Sequence, residues 1–204
     1  MKVRTPPKQC GDCRACCIHL KIDTPEYKKA AGVICPHHTG KGCGIYETRY
    51  PVCKGFLCGF LMFDELGRDW RPDLCGVMIL QVPQASVPAK YRPAGHGVQF
   101  MVLDGEQAIA RPALAAYVAS LVKRGVAVYL TARKPHTLVN EYLDAAARAG
   151  DAAGVRRALL HLYGLMAAAG KRKGILGFFR AIPYFYRLQI EHQRAVFANR
   201  RAGR

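Results

Sequence analysis

Two rhythms of apolar and polar residues run through the chain from residue 76 onward, and neither is sustained before it. Val77-Met78-Ile79-Leu80-Gln81-Val82 is an apolar run of strand length. Val98-Gln99-Phe100-Met101-Val102-Leu103 is a second, and the Asp104-Gly105 after it predicts a tight turn into a hairpin partner at Glu106 to Ala110. Pro112 then opens a helical pattern with Leu114, Tyr117, Val118, Leu121 and Val122 on one face and Gly125 at its end. Val126 to Leu130 reads as a last strand. Helical periodicity takes over beyond it, predicting helices over 135–149 closed by Gly150, over 151–169 capped by Asp151 and closed by Gly170, and over 183–199 starting at Pro183. Before residue 76 the pattern supports one short helix, with Thr24 as its cap, Pro25 in its first turn and Gly32 at its end.

These rhythms predict an α+β fold in three parts: a loop-rich module over 1–75, a small mixed sheet with one helix over 76–131, and C-terminal helices over 132–204. No internal repeat or low-complexity segment is present. Gly95-His96-Gly97 precedes a strand instead of following one, which argues against a phosphate-binding loop.

Composition sharpens the first part. All nine cysteines of the 204-residue chain lie within its first 75 residues. The N-terminal Met1-Lys2-Val3-Arg4 is charged and no apolar stretch follows it, so no secretory signal is expected. The longest weakly charged run, Gly76 to Ala89, is broken by Pro83 and Pro88 and falls short of the roughly 20 residues of a membrane span. A cytoplasmic location is the expectation, and in a reducing compartment dense cysteines point to metal more than to disulfides.

Their spacing is C-x2-C-x2-C-C-x17-C-x7-C-x9-C-x4-C-x16-C. Cys10-Gly11-Asp12-Cys13 can turn two sulfurs toward one ion, as structural zinc knuckles do. Gly40-Lys41-Gly42-Cys43-Gly44 resembles a second knuckle. Cys10, Cys13, Cys16, Cys17, Cys35, Cys43, Cys53 and Cys58 are therefore the predicted metal ligands, enough for two four-thiolate zinc sites or one polynuclear cluster. Read as an extended pair, Cys16 and Cys17 point to opposite faces and serve different metals. Cys75, 17 positions beyond Cys58, reads as a buried core cysteine. Iron–sulfur stays open beside zinc: Cys10-x2-Cys13-x2-Cys16 matches three ligands of the bacterial ferredoxin run, but Leu20 stands where its fourth belongs.

Taken in order, Cys10-x2-Cys13-x2-Cys16-Cys17, Cys35-Pro36, Cys43-Gly44-Ile45-Tyr46-x2-Arg49 and Cys53-Lys54-Gly55-Phe56-x-Cys58 resemble the YkgJ-type cysteine-cluster family, a zinc- or iron-chelating domain. The resemblance covers about the first third of the chain, with Arg71-Pro72-Asp73 extending it. It departs at one point: Tyr50 stands between Arg49 and Pro51, where the family has proline directly after arginine. The resemblance implies metal binding. Some relatives are described as iron–sulfur oxidoreductases and others are linked to flagellin lysine methylation, so a redox or methyl-transfer enzyme is the first alternative function.

His19, His37 and His38 lie among the cysteines and read as neighbours of the metal more than as ligands. Asp12 reads as turn chemistry. No Ser-His-Asp or Cys-His nucleophile spacing occurs, and His96, His136, His161 and His192 read as structural. The second alternative function comes from charge. The chain carries a formal +17, and residues 171–204 contain nine Lys/Arg against Glu191 alone. Arg180, Arg187, Arg194 and Arg201 recur every seven residues, with Phe178, Phe179, Tyr184, Phe185 and Tyr186 interleaved and Leu188 and Val196 on another face. Such a helix suits nucleic acid or an anionic surface, against the plainer reading of a solvated face.

Overall fold

The computed structural model describes residues 8–132, 136–170 and 174–203, the helix over 174–180 by its backbone apart from Phe179. The chain is mixed α and β and divides into two compact units, Met1–Met78 and Ile79–Arg204.

The first unit has little regular structure. Its elements are α1 (Ala15–His19), a two-stranded ribbon of β1 (Ile22–Asp23) and β2 (Lys28–Lys29), then α2 (Pro51–Gly55), α3 (Gly59–Met62) and α4 (Pro72–Cys75). The helix expected after Thr24 is not there. Ile22 pairs antiparallel with Lys29 and Asp23 with Lys28, and the Thr24 N–H donates to the Tyr27 carbonyl at 3.0 Å. Thr24 Oγ1 still accepts the Tyr27 N–H, so its capping chemistry closes a turn instead of opening a helix. The apolar core of this unit is small: Phe60, Leu66, Trp70, Cys75, Val77 and Met78.

The second unit is built on a four-stranded sheet in the order β3-β4-β5-β6. Its strands are β3 (Val77–Pro83, which starts in the last residues of the first unit), β4 (His96–Val102), β5 (Ala127–Thr131) and β6 (Thr137–Leu138). β4 and β5 run parallel, with Val98 opposite Val128 and Phe100 opposite Leu130, and parallel strands need a crossover. α5 (Gly105–Ile109) and α6 (Pro112–Lys123) supply it. The expected hairpin at Asp104-Gly105 is therefore overturned: the next segment, Glu-Gln-Ala-Ile-Ala, lacks β-branched alternation and buries Ala108 and Ile109 as a helical turn. β5 is buried at all five positions, as expected of a strand covered on both faces.

Three helices complete this unit: α7 (Asn140–Ala149), α8 (Ala152–Gly170) and α9 (Gly174–Arg201). The helix expected from 135 begins five residues later because Thr137 and Leu138 pair with β5 first; residue 135 itself lies outside the described residues. Asp151 caps α8, accepting the Gly154 N–H at 2.7 Å. α9 runs through Pro183 instead of starting there. Ala181 and Leu188 on either side of it are both buried, and this packing outweighs the one backbone bond that proline removes. No helix among the described residues is long and apolar enough to cross a membrane.

Asn140 ties the sheet to the helices. It is buried, its Oδ1 accepts the Val128 N–H at 2.7 Å and its Nδ2 donates to the Val126 carbonyl at 2.8 Å. Asn140→Ala would strand both backbone groups, and about 2–4 kcal/mol of stability should go with them. Asn140→Asp should do no better, since it sets an acceptor against the Val126 carbonyl. Urea denaturation followed by circular dichroism measures both; a loss under about 0.5 kcal/mol in Asn140→Ala would show the bridge to be dispensable.

Candidate metal centre

Short-range backbone bonds present the cysteines. The Cys13 N–H donates to the Cys10 carbonyl at 3.0 Å, closing the first knuckle around Gly11 at φ 55°. A Cβ on Gly11 would also stand 3.2 Å from Arg71 Nη1, so glycine serves both the turn and the close approach. Cys16 and Cys17 follow on α1. The Cys35 N–H donates to the Cys17 carbonyl at 3.0 Å, which brings two cysteines distant in sequence together. His38 and Cys43 form an isolated antiparallel bridge, closing the glycine-flanked second loop. Cys53 sits on α2 behind Pro51, and Cys58 precedes α3, its carbonyl accepting the Leu61 N–H at 2.9 Å.

Seven of the eight expected ligands, Cys10, Cys13, Cys16, Cys17, Cys35, Cys43 and Cys53, line one cavity of about 170 Å³. Leu20, Ile22, Ile45, Val52 and Phe56 contribute apolar wall to the same cavity. Cys58 is buried and does not line the cavity, but it lies within electrostatic reach of Cys10. Cys16 interacts with Cys17, Cys10 and Cys13, and Cys53 with Cys17, Cys35 and Cys43. Two neighbourhoods thus meet at the Cys16–Cys17 pair. All nine cysteines are free thiols, and no group of three or more His, Cys, Asp or Glu side chains among the described residues is placed to hold a metal ion.

The expectation that Cys16 and Cys17 point apart is overturned. They lie on a helical turn, not an extended strand, and their thiols are electrostatically coupled to each other. Their mutual interaction drives the Cys17 thiol down and the Cys16 thiol up, and Lys29 and Arg49 add to the lowering at Cys17. Burial pushes Cys10, Cys53 and Cys58 up as well, and Cys13 up to about 11. Cys75 has a separate place in the core: it is 3% exposed and its thiol donates to the Val77 carbonyl at 3.1 Å.

Lys29 and Tyr27 carry no signal in the sequence, and the contacts of Tyr50, Arg71 and Asp12 carry little. Lys29 is 6% exposed, and its ammonium donates to the carbonyls of Ile18, Ala30 and Val33. Burial lowers its pKa, while Cys35, Cys17 and Cys16 act in the opposite direction. Tyr27 donates its hydroxyl to Cys35 Sγ at 3.2 Å and stacks on Tyr50, with ring centroids 4.6 Å apart. Tyr50, which stands between Arg49 and Pro51, is thus part of the cavity wall. Arg71 is buried; it grips Asp73 through Nε and Nη2, both at 2.8 Å, and reaches Asp12 at 2.8 Å. Asp12 is an ion-pair partner as well as a turn residue. Burial raises the Asp73 carboxyl, but hydrogen bonds from Arg71 and Cys13 bring it below its ordinary value.

The histidines divide. His37 Nε2 lies 3.3 Å from the Tyr50 hydroxyl at the cavity wall. His38 Nδ1 accepts the Gly40 N–H at 3.1 Å, which places the ring proton on Nε2, a buried atom with no partner among the described residues. A protonated Nε2 has no lone pair for a metal. Burial and then Lys29 lower the pKa of His19.

On α9, Arg187 donates to Glu191 Oε1 at 2.9 Å and His161 shares the other carboxylate oxygen. Arg194 is exposed, and the Arg201 guanidinium lies 4.5 Å from the Phe197 ring centroid. The side chains of Phe178 and Arg180 lie outside the described residues, as do residues 1–7 and 171–173.

No family model, curated protein or solved structure matches this chain.

Proposed function

We propose that the N-terminal unit is a thiolate metal-binding module, holding zinc or an iron–sulfur cluster through Cys10, Cys13, Cys16, Cys17, Cys35, Cys43, Cys53 and Cys58. One observation carries the reading: seven thiols line a single cavity, with Arg49 on its wall and the buried Lys29 within electrostatic reach of Cys16, Cys17 and Cys35. A buried ammonium requires compensating negative charge, and thiolates are the groups at hand to supply it. The donor set fits a thiophilic metal in type and number.

Bound zinc would supply the cross-links that this unit's small core lacks, whereas a bound iron–sulfur cluster would supply one-electron exchange. The chain's own residues fix the surroundings. Tyr27 hydrogen-bonds the Cys35 sulfur, Lys29 and Arg49 offset thiolate charge, and Arg71 and Asp73 orient the turn that carries Cys13.

Elemental and acid-labile sulfide analysis of anaerobically purified protein tests the proposal, with the visible spectrum alongside. Two zinc equivalents in colourless protein, or iron with matching sulfide and a band that bleaches on reduction, are the supporting results. Folded, fully reduced protein that carries neither metal, and whose stability is indifferent to added zinc, would overturn it. One zinc equivalent would keep the metal module and remove the two-site arrangement.

A further inference from the structure

We propose that the outer face of α9 docks on an anionic lipid bilayer surface, a role separate from the cysteine module. The inner face of this helix is fixed. Ala181, Leu188 and Asn199 are buried, the Tyr142 hydroxyl donates to the Leu188 carbonyl at 2.7 Å, and Asn199 Nδ2 donates to Glu141 Oε2 at 2.9 Å. The outer face carries a second apolar stripe. Phe179 is 60% exposed, Ile182 44%, Tyr186 67%, Ile190 37% and Phe197 57%. Their spacing of three, four, four and seven residues follows one line along the helix, and at roughly 100° per residue that line lies opposite Leu188 and Asn199. It is about 27 Å long at the rise of an α-helix. Aligned exposure of this extent marks an interaction surface, since isolated exposed apolar residues are ordinary but a continuous row is not.

The flank of the stripe indicates what covers it. Arg187, Arg194 and Arg201 form a row beside it, each one heptad from the next. Arg201 folds its guanidinium over the ring of Phe197, the posture of a charge that rides at the edge of an apolar patch. The whole chain carries +17, which opposes a second copy bringing the same arginines to the same stripe. The exposed stripe runs along one helix as a ridge, and a ridge of Phe, Ile and Tyr bordered by arginine suits the boundary between headgroups and acyl chains. The same helix is no candidate to cross the bilayer, so it would lie on the surface.

Co-sedimentation of the full chain with vesicles provides the test, using phosphatidylserine and phosphatidylcholine at about one to three, against pure phosphatidylcholine. The wild type should bind the anionic vesicles, lose most binding in high salt and bind pure phosphatidylcholine at least tenfold more weakly. Replacing Arg194 and Arg201 by Gln should weaken partitioning roughly twenty-fold, and Tyr186→Ser with Phe197→Ser should weaken it more than tenfold. These four side chains are exposed, so circular dichroism and the melting temperature should match the wild type. No binding to anionic vesicles, or equal binding to both kinds, would overturn the proposal. So would loss with the arginine pair but none with the apolar pair, which would mark a generic polyanion surface. A wild-type dimer that the apolar pair dissociates would assign the stripe to a second copy, also against the proposal.

Discussion

Replacing Cys53 by serine is expected to strip the N-terminal unit of the proposed metal and of its cooperative fold together. Cys53 stands within electrostatic reach of Cys17 and Cys35, which one backbone bond joins, and of Cys43 in the second loop. A metal bridging them would join α1, α2 and both loops, and elsewhere this unit buries little beyond Phe60, Leu66, Trp70 and Met78. Structural zinc supplies about 10–16 kcal/mol of apparent folding free energy in modules of this kind, as much as the whole stability of a typical domain, about 5–15 kcal/mol. Metal per chain and soluble yield should therefore fall together in Cys53→Ser, and likewise in Cys10→Ser, Cys13→Ser and Cys43→Ser. Cys17→Ser should lose at least as much, because Cys17 interacts with both Cys16 and Cys53. Cys75→Ser is the control. Its hydroxyl can still donate to the Val77 carbonyl, so metal content should be unchanged and the stability cost about 1–2 kcal/mol. Full metal content in Cys53→Ser, or equal loss in Cys75→Ser, would contradict this division of the cysteines.

Where the sequence reads correctly, local preference and tertiary packing agree. β3, β5, α6 and α8 are legible because apolar periodicity, Pro112, Gly125 and the Asp151 cap all favour the same element. Elsewhere a distant partner decides. Thr24-Pro25 has a helix-start signature, yet Lys28 and Lys29 pair with β1, and Tyr27 is held by Tyr50 and Cys35. Asp104-Gly105 has a hairpin signature, but β4 pairs with β5, beyond a crossover that no local window contains. Pro183 looks like a start because the packing of Ala181 and Leu188 on either side of it is invisible in one dimension.

The site divides in the same way. Its sulfurs are legible, since two-residue gaps and glycine-flanked cysteines are local signals. The assumption of an extended Cys16-Cys17 pair fails because α1 is only one turn long and leaves almost no periodicity to read. Lys29 could not be found, because it sits in a polar Lys-Lys pair and only the fold reveals which lysine turns inward. Arg71 had half a signal. The Arg71-Pro72-Asp73 triplet extends the resemblance without indicating that it reaches back to the first knuckle.

That contact underlies the second large effect. Arg71→Ala is expected to destabilise the first unit by about 3 kcal/mol, near the lower end of the cost of breaking a buried ion pair because Asp73 keeps 26% side-chain exposure. Three hydrogen-bonded contacts disappear at once, two to Asp73 and one to Asp12, and Asp73 is left facing the Cys13 thiol without its cation. Arg71→Lys should recover only part of the loss, since an ammonium keeps the charge but cannot grip the carboxylate with two parallel donors while reaching Asp12 with a third. Trp70, the single tryptophan of the chain, is buried in this unit beside Arg71, so the urea midpoint of its fluorescence reports the unit directly. The ordering expected is wild type, then Arg71→Lys, then Arg71→Ala. Metal retention against a chelator should follow the same order, because the Cys10–Cys13 turn packs against the guanidinium through Gly11. Equal midpoints for the lysine and alanine variants would show that charge alone contributes nothing here. An unchanged midpoint for both would show that the first knuckle is held by its own turn and by the metal, with Arg71 only resting against it.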